Sequence, residues 1–305
     1  MTSLLPPSVR VFVRDWLSAN QIVLKDGDDV VAIDSGYGKH VPLTLALLAS
    51  RQGVDGKPLT RLVNTHCHAD HMGGNAAIKR AWGCPIAVPE GEAPLIEQWD
   101  TMTLLLDYAG QTAECFPVDE VVRANSTHVW GGLEWRALAA PGHAMGALVY
   151  YNPEHRILIS GDALWENGYG IVMPPEMAPA ALPAARTTLE MLAQLDIDVV
   201  IPGHGEPFRD VAPALERAFS RTAAFEQSSA RIARHAAKAL LVFTLLDRER
   251  MPLAEVPVYL DRVPVYRDLN ARYFELAPAG FAEMLVGELE RAGAVRRNGE
   301  FLKPA

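Results

Sequence analysis

Short apolar runs alternate with helix-patterned stretches along most of this chain. Residues 19 to 36, ANQIVLKDGDDVVAIDSG, carry two apolar runs on either side of the turn residues Lys25 to Asp28, which predicts a β-hairpin. Residues 41 to 50 read as a helix, and RLVNT, 61 to 65, as a short strand ending at a histidine. A helix restarts over 74 to 82, PIAV at 85 to 88 is another strand, and 91 to 107 another helix. From residue 127 the strand pattern returns in THVW, a Gly131-Gly132 turn and LEWRALAA. ALVYY and RILIS form a second hairpin around NPEH. A helix over 183 to 195 and the strand DVVI lead to PGHG. Short strands interleaved with helices predict an α/β or α+β domain with the strands buried under helices.

After Pro207 the pattern changes. Residues 213 to 246 are rich in Ala, Leu, Glu and Arg with helical periodicity. Residues 281 to 304 read as a helix, a glycine turn and a hairpin around Asn298-Gly299, like a small winged-helix unit. The expected division is therefore 1–212 and 213–305. Tyr259, Tyr266 and Tyr273 recur every seven residues, a spacing that fits a helical core stripe, on a segment that could also cover a site.

Composition narrows the functional classes. The 305 residues are 49% hydrophobic and 21% charged, as in a soluble globular protein with a sizeable core. Net charge is −9: residues 1–212 carry 14 basic and 25 acidic side chains, and residues 213–305 carry 14 and 12. An acidic front and a near-neutral tail argue against nucleic acid as the main partner. Cys67, Cys84 and Cys115 form no CxxC pair, which suggests reduced thiols in a cytoplasmic setting. MTSLLPPSVRVFVRDW lacks the charge-then-apolar order of a secretory signal, and no apolar run is long enough for a membrane span.

The densest chemistry lies in NTHCHADHMGGN, 64 to 75. His66, His68, Asp70 and His71 place four ligand-type side chains within six residues. Imidazole nitrogen and carboxylate oxygen suit zinc, and also iron or manganese. In an extended segment His66 and His68 share a face, while Asp70 and His71 follow the turn, so the spacing suggests two adjacent ions. Gly73 and Gly74 are read as letting the chain bend into the next helix. Further ligand-type residues sit beside small residues at strand ends: His143 in PGH, Asp162 in ISGDAL and His204 in PGHG. Cys67 points away from the His66/His68 face and is expected to pack. His40, His128, His155 and His235 are read as surface or structural residues.

IDSG at 33–36, THCHADHMGGN at 65–75, PGH at 141–143, SGDAL at 160–164 and PGHGEP at 202–207 resemble the metallo-β-lactamase superfamily, in order and separation. The resemblance covers about residues 10 to 208. It implies a four-layer αββα sandwich with the metals between the sheet edges, here followed by a small, mainly helical, winged-helix-like extension. It also implies His66, His68 and His143 as ligands of a first metal and Asp70, His71 and His204 as ligands of a second. Asp162 would bridge both, and Asp34 would orient a ligand histidine or cap the turn before Gly36. Two divalent ions, zinc first, would activate a water against a carbonyl or phosphoryl centre, with Asp70 orienting it or relaying its proton. Trp165, Tyr169 and Met173, downstream of Asp162, are candidate pocket walls.

The expected activity is hydrolysis of a small thioester, ester or lactone, as in glyoxalase II-type enzymes, although the basic cluster that holds glutathione there is not evident. THCHADH and GDAL also look like persulfide dioxygenases, which would use one iron on His66, His143 and Asp162. The tail resembles that of the endoribonucleases called lactamase-β-like, with RRNGEFLK, 296 to 303, as a phosphate contact. A homodimer is the expected assembly.

Overall fold

The computed structural model describes residues 5–305; the first four residues of MTSLLPPSVRVFVRDW, the stretch without a signal pattern, lie outside them. A six-stranded sheet runs in chain order through β1 (Val9–Phe12), β2 (Gln21–Asp26), β3 (Asp29–Ile33), β4 (Arg61–Val63), β5 (Ile86–Pro89) and β6 (Glu120–Val122). β2 and β3 are the predicted hairpin, and β3 to β6 are parallel. The second sheet comprises β7 (Thr127–Trp130), β8 (Leu133–Ala139), β9 (Leu148–Asn152), β10 (Ile157–Gly161) and β11 (Val199–Pro202). Its order is β11-β10-β9-β8-β7, with only β10 and β11 parallel.

Alternation along the strands builds the layers, because successive side chains leave a strand on opposite faces. Val31 and Ile33 join Trp135, Tyr150 and Ile159 in a core between the two sheets. Val30 and Ala32, one residue out of phase, pack with Leu48, Ile78 and Ile96 from the helices Val41–Ala49, Asn75–Trp82 and Ala93–Gln98. On the far side Val149, Leu158 and Val200 meet the helices Ala181–Leu192 and Val211–Glu226. This is the αββα order expected. At about 25 cal/mol per Å² of apolar surface removed from water, burial on both faces of both sheets is the main stabilising contribution.

The helix expected over 91–107 is instead two short pieces, Ala93–Gln98 and Leu106–Ala109. Trp99 (φ 49°) and Leu105 (φ 63°) take left-handed backbone. Between them Asp100 accepts from the backbone N–H and the hydroxyl of Thr103, a local bonding scheme that competes with helix. The helical stretch from 213 also divides, at Ser228, whose hydroxyl accepts from the Arg231 N–H and opens the helix Ser229–Arg248.

The C-terminal region is helical, with Val256–Arg262, Pro264–Tyr273 and Pro278–Arg291. It ends in the hairpin β13 (Val295–Asn298) and β14 (Phe301–Pro304), joined on the β14 side by β12 (Met251–Pro252). Tyr259 and Tyr266 lie in its core and Tyr273 packs against it, but not as one helical stripe, since extended backbone at Val263 (ψ 123°) divides the segment into two helices. No helix among the described residues is long and apolar enough to cross a membrane.

Candidate functional site

Strands β3, β4, β10 and β11 all end at one edge of the sandwich, and each delivers polar side chains there. Asp34 follows β3, His66 and His68 follow β4, Asp162 follows β10 and His204 follows β11. This is where open sheets place functional groups, outside the carboxyl ends of strands. Asp70 and His71 ride on a single turn, Ala69–Met72, and His143 follows Pro141-Gly142 beyond β8.

The seven ligand-type residues converge in two groups. His66, His68 and His143 form one, and Asp70, His71, Asp162 and His204 the other, each with its potential ligand atoms within 4.8 Å of one another. The three rings of the first group stand nearly perpendicular, at 87°, 86° and 89°. Asp162 faces both groups: Oδ2 lies 3.4 Å from His143 Nε2, while Oδ1 lies 3.3 Å from His71 Nε2 and 3.8 Å from His204 Nε2.

The donor chemistry fits cations. His143 Nδ1 donates to the Ile171 carbonyl (2.6 Å) and His71 Nδ1 donates to Asp34 Oδ2 (2.8 Å), so in the neutral rings each Nε2 lone pair faces the centre. His66 Nε2 and His71 Nε2 are buried without a hydrogen-bond partner, which is costly unless something positive sits before them. Burial, and then the neighbouring rings, push the His66 imidazole well down; burial and His143 bring His68 to about 3. Both stay neutral and free to ligate. At His71 burial works downward but is outweighed by Asp34, Asp162 and Asp70, which hold the ring well above its ordinary value; the same carboxylates would favour a cation in place of the proton on Nε2. Burial would raise Asp162, yet His71 and His204 keep it well below the usual carboxylate range.

Asp34 is fixed behind His71. Oδ1 accepts from the Thr65 N–H (2.9 Å), and Oδ2 accepts from the Thr65 hydroxyl (2.9 Å) as well as from His71. Its backbone is left-handed (φ 58°), a conformation Asp tolerates better than most residues. Cys67 packs in the core, in line with its expected role, and all three cysteines are free.

Gly73 and Gly74 differ from expectation. Their φ values of −60° and −92° are open to any residue. Their need is for space: a Cβ on Gly73 would lie 2.5 Å from the Gly38 nitrogen, and one on Gly74 2.6 Å from the Ser35 carbonyl oxygen. Gly203 is tighter still, since a Cβ there would stand 2.2 Å from Asp162 Oδ1.

Several contributors carry no signature in the sequence. Trp16 stacks on the His204 ring at 5.6 Å and 5°. Glu92, almost wholly buried, accepts from the Cys67 N–H (2.9 Å) and the Gly146 N–H (3.2 Å), tying the His66/His68 segment to the His143 loop. Burial pushes its carboxyl up. Glu92→Ala strands the buried Cys67 N–H and the partly buried Gly146 N–H and is expected to cost about 2 kcal/mol, with Glu92→Gln closer to wild type because one of the two acceptors remains. Chemical denaturation measures this; wild-type stability in Glu92→Ala would rule out the clamp.

The groups open on a cavity of about 450 Å³. Trp165, Tyr169 and Met173, the candidate walls, are among the residues lining it. Its opposite wall is the helix Ser229–Arg248, including His235, for which the sequence suggests only a surface or structural place. His40 bonds Ser18, His128 stacks on Trp130 and His155 lies in a turn.

Residues 14–204 match the sequence model described as the metallo-beta-lactamase superfamily. A hydroxyacylglutathione hydrolase of Hyphomonas neptunium is 31% identical over 119 residues, 39% of this chain and 39% of that protein. The chain thus spans about two fifths of that relative's length. A protein named as a probable metallo-hydrolase of Methanocaldococcus jannaschii is 28% identical over 186 residues, 59% of this chain and 84% of that protein. The crystal structure of a beta-lactamase domain protein from Burkholderia ambifaria has the same fold, with TM-score 0.61, 21% identity and coverage of 99% of this chain and 92% of that one.

Proposed function

Given that the chain belongs to the metallo-beta-lactamase superfamily, we propose that it is a metal-dependent hydrolase of a small thioester, ester or lactone. His66, His68 and His143 would hold one divalent ion and Asp70, His71 and His204 a second, with Asp162 shared. Zinc suits this donor set best; iron and manganese accept it too. The carrying observation is the division of the Asp162 oxygens, one toward each group. When bound, the ions supply an acidified water and polarise the substrate carbonyl.

The chain's own residues do the rest. Asp34 and the Ile171 carbonyl fix the tautomers of His71 and His143, so both ligating nitrogens face inward. Asp70 borders the cavity, with Oδ2 3.0 Å from His204 Nε2. It is placed to take the proton of the attacking water and return it to the leaving group. Residues 1–212 carry this chemistry; of the expected second region, Val211–Glu226 packs as an outer layer of the sandwich and Ser229–Arg248 covers the cavity.

The complete second group favours this reading over a one-iron dioxygenase, which would leave Asp70, His71 and His204 without a task. The ribonuclease reading draws on Arg296, Arg297 and Lys303, of which Arg297 already pairs with Glu290, on a tail that carries 14 basic and 12 acidic side chains. Dialysis against a strong chelator is expected to reduce thioester hydrolysis to background, and adding back a divalent metal to restore it. Undiminished hydrolysis by the metal-free protein would overturn the proposal.

A further inference from the structure

The helix Ser229–Arg248 has two apolar faces, which is unusual for a helix at a surface. Ile232, Ala233, Ala236, Ala237, Leu241 and Leu245 are buried on one side in neighbouring cores. His235, Ala239, Val242, Phe243 and Leu246 recur at helical spacing on another side, are only half-buried, and line the cavity. Arg231, Arg234 and Arg248 take exposed positions, and Lys238 and Asp247 are half-buried. A half-buried apolar stripe opposite a polar centre is a surface suited to an apolar group. Ile171 and Met173 extend it from the segment after Asp162.

The charges around the cavity point the same way. Away from the residues assigned to the metals, Glu166 and Glu206 border it. Arg221 also borders it, but its guanidinium donates to the carbonyls of Tyr169 (3.3 Å) and Asn167 (2.7 Å). An anionic leaving group such as glutathione would meet carboxylates and one arginine committed to holding a loop. Burial of an unpaired charge is costly, so a neutral chain is preferred.

We infer that the cavity selects neutral thioesters or esters whose apolar chain lies along the Ala239/Val242/Leu246 stripe. This deepens the hydrolase reading and rests on it. Water oxygen adds to the carbonyl carbon, the C–S or C–O bond breaks, and the departing sulfur or oxygen takes the proton. An acid and a thiol or alcohol result, with no redox partner.

The test uses the full-length, metal-loaded protein and S-acyl N-acetylcysteamine thioesters of increasing acyl length. kcat/KM should rise about three- to fourfold per methylene until the cavity is full. The glutathione thioester of the same acyl group should be at least tenfold poorer. A flat length profile, or a preference for glutathione, overturns the inference. Calorimetric binding of uncleavable S-alkyl thioethers of N-acetylcysteamine supplies a readout that needs no turnover. It should show the same slope, and Val242→Glu should remove that slope. If the thioethers bind with this slope while no thioester is cleaved, the hydrolase reading falls and the chain-binding inference stands. If thioesters are cleaved with no dependence on length, the inference falls alone.

Discussion

Asp162→Ala is expected to lower kcat/KM by about a thousandfold or more. A single preorganised electrostatic group is worth about 10²–10³ in rate, and Asp162 faces both ligand groups rather than one. Its loss leaves His143, His71 and His204 without the carboxylate between them. It also frees Trp165, whose Nε1 donates to Asp162 Oδ1 at 3.1 Å. Removing a carboxylate from among buried histidines changes the balance of charge there, so folding should be checked separately by circular dichroism and thermal melting. Steady-state kinetics on a folded Asp162→Ala protein decide the point; turnover within tenfold of wild type would contradict a shared ligand.

Substitution at Asp34 separates orientation from stability. Asn tolerates the left-handed backbone and keeps an acceptor for the Thr65 N–H, so Asp34→Asn should fold. Its amide nevertheless offers N–H toward His71 Nδ1, where the carboxylate accepted. His71 then does best with its proton moved to Nε2, the atom that faces Asp162 and would ligate. The expected result is a 10- to 100-fold loss of metal affinity, the usual effect of losing the partner that orients a ligand histidine. Asp34→Ala adds two structural costs. Left-handed backbone costs a non-glycine residue about 1–2 kcal/mol without a polar side chain to bond locally, and the stranded Thr65 N–H adds about 1–3 kcal/mol. A destabilisation of about 2–5 kcal/mol should therefore appear in urea titrations of Asp34→Ala and not of Asp34→Asn. Wild-type metal affinity in Asp34→Asn would show that the carboxylate does not orient His71.

Asp162 and the five ligand-type histidines are legible in the sequence because of where they sit. They lie just past apolar runs, several of them beside glycines, and a strand's alternation and its terminus are local properties. Strand-end chemistry is therefore visible one segment at a time. The sheets are legible for the same reason: Val30 to Ile33 alternate between two cores within a single strand. Residues whose part depends on distant chain stay hidden. Glu92 joins two loops by accepting from Cys67 and Gly146, and an isolated glutamate in a loop has no pattern to announce that. Val242 and Leu246 recur as a buried stripe would, and only tertiary packing decides whether such a stripe meets a core or a cavity. The 91–107 segment reads as continuous helix, yet a few residues bonding their own backbone outweigh the average propensity of the rest.

The central claim is that seven side chains hold a pair of cations with Asp162 between them. Elemental analysis of the protein after saturation with divalent metal and removal of excess tests it most directly. The account predicts two ions per chain in wild type and a loss of tightly held metal in Asp162→Ala. A fully active wild-type protein holding one ion or none would contradict it.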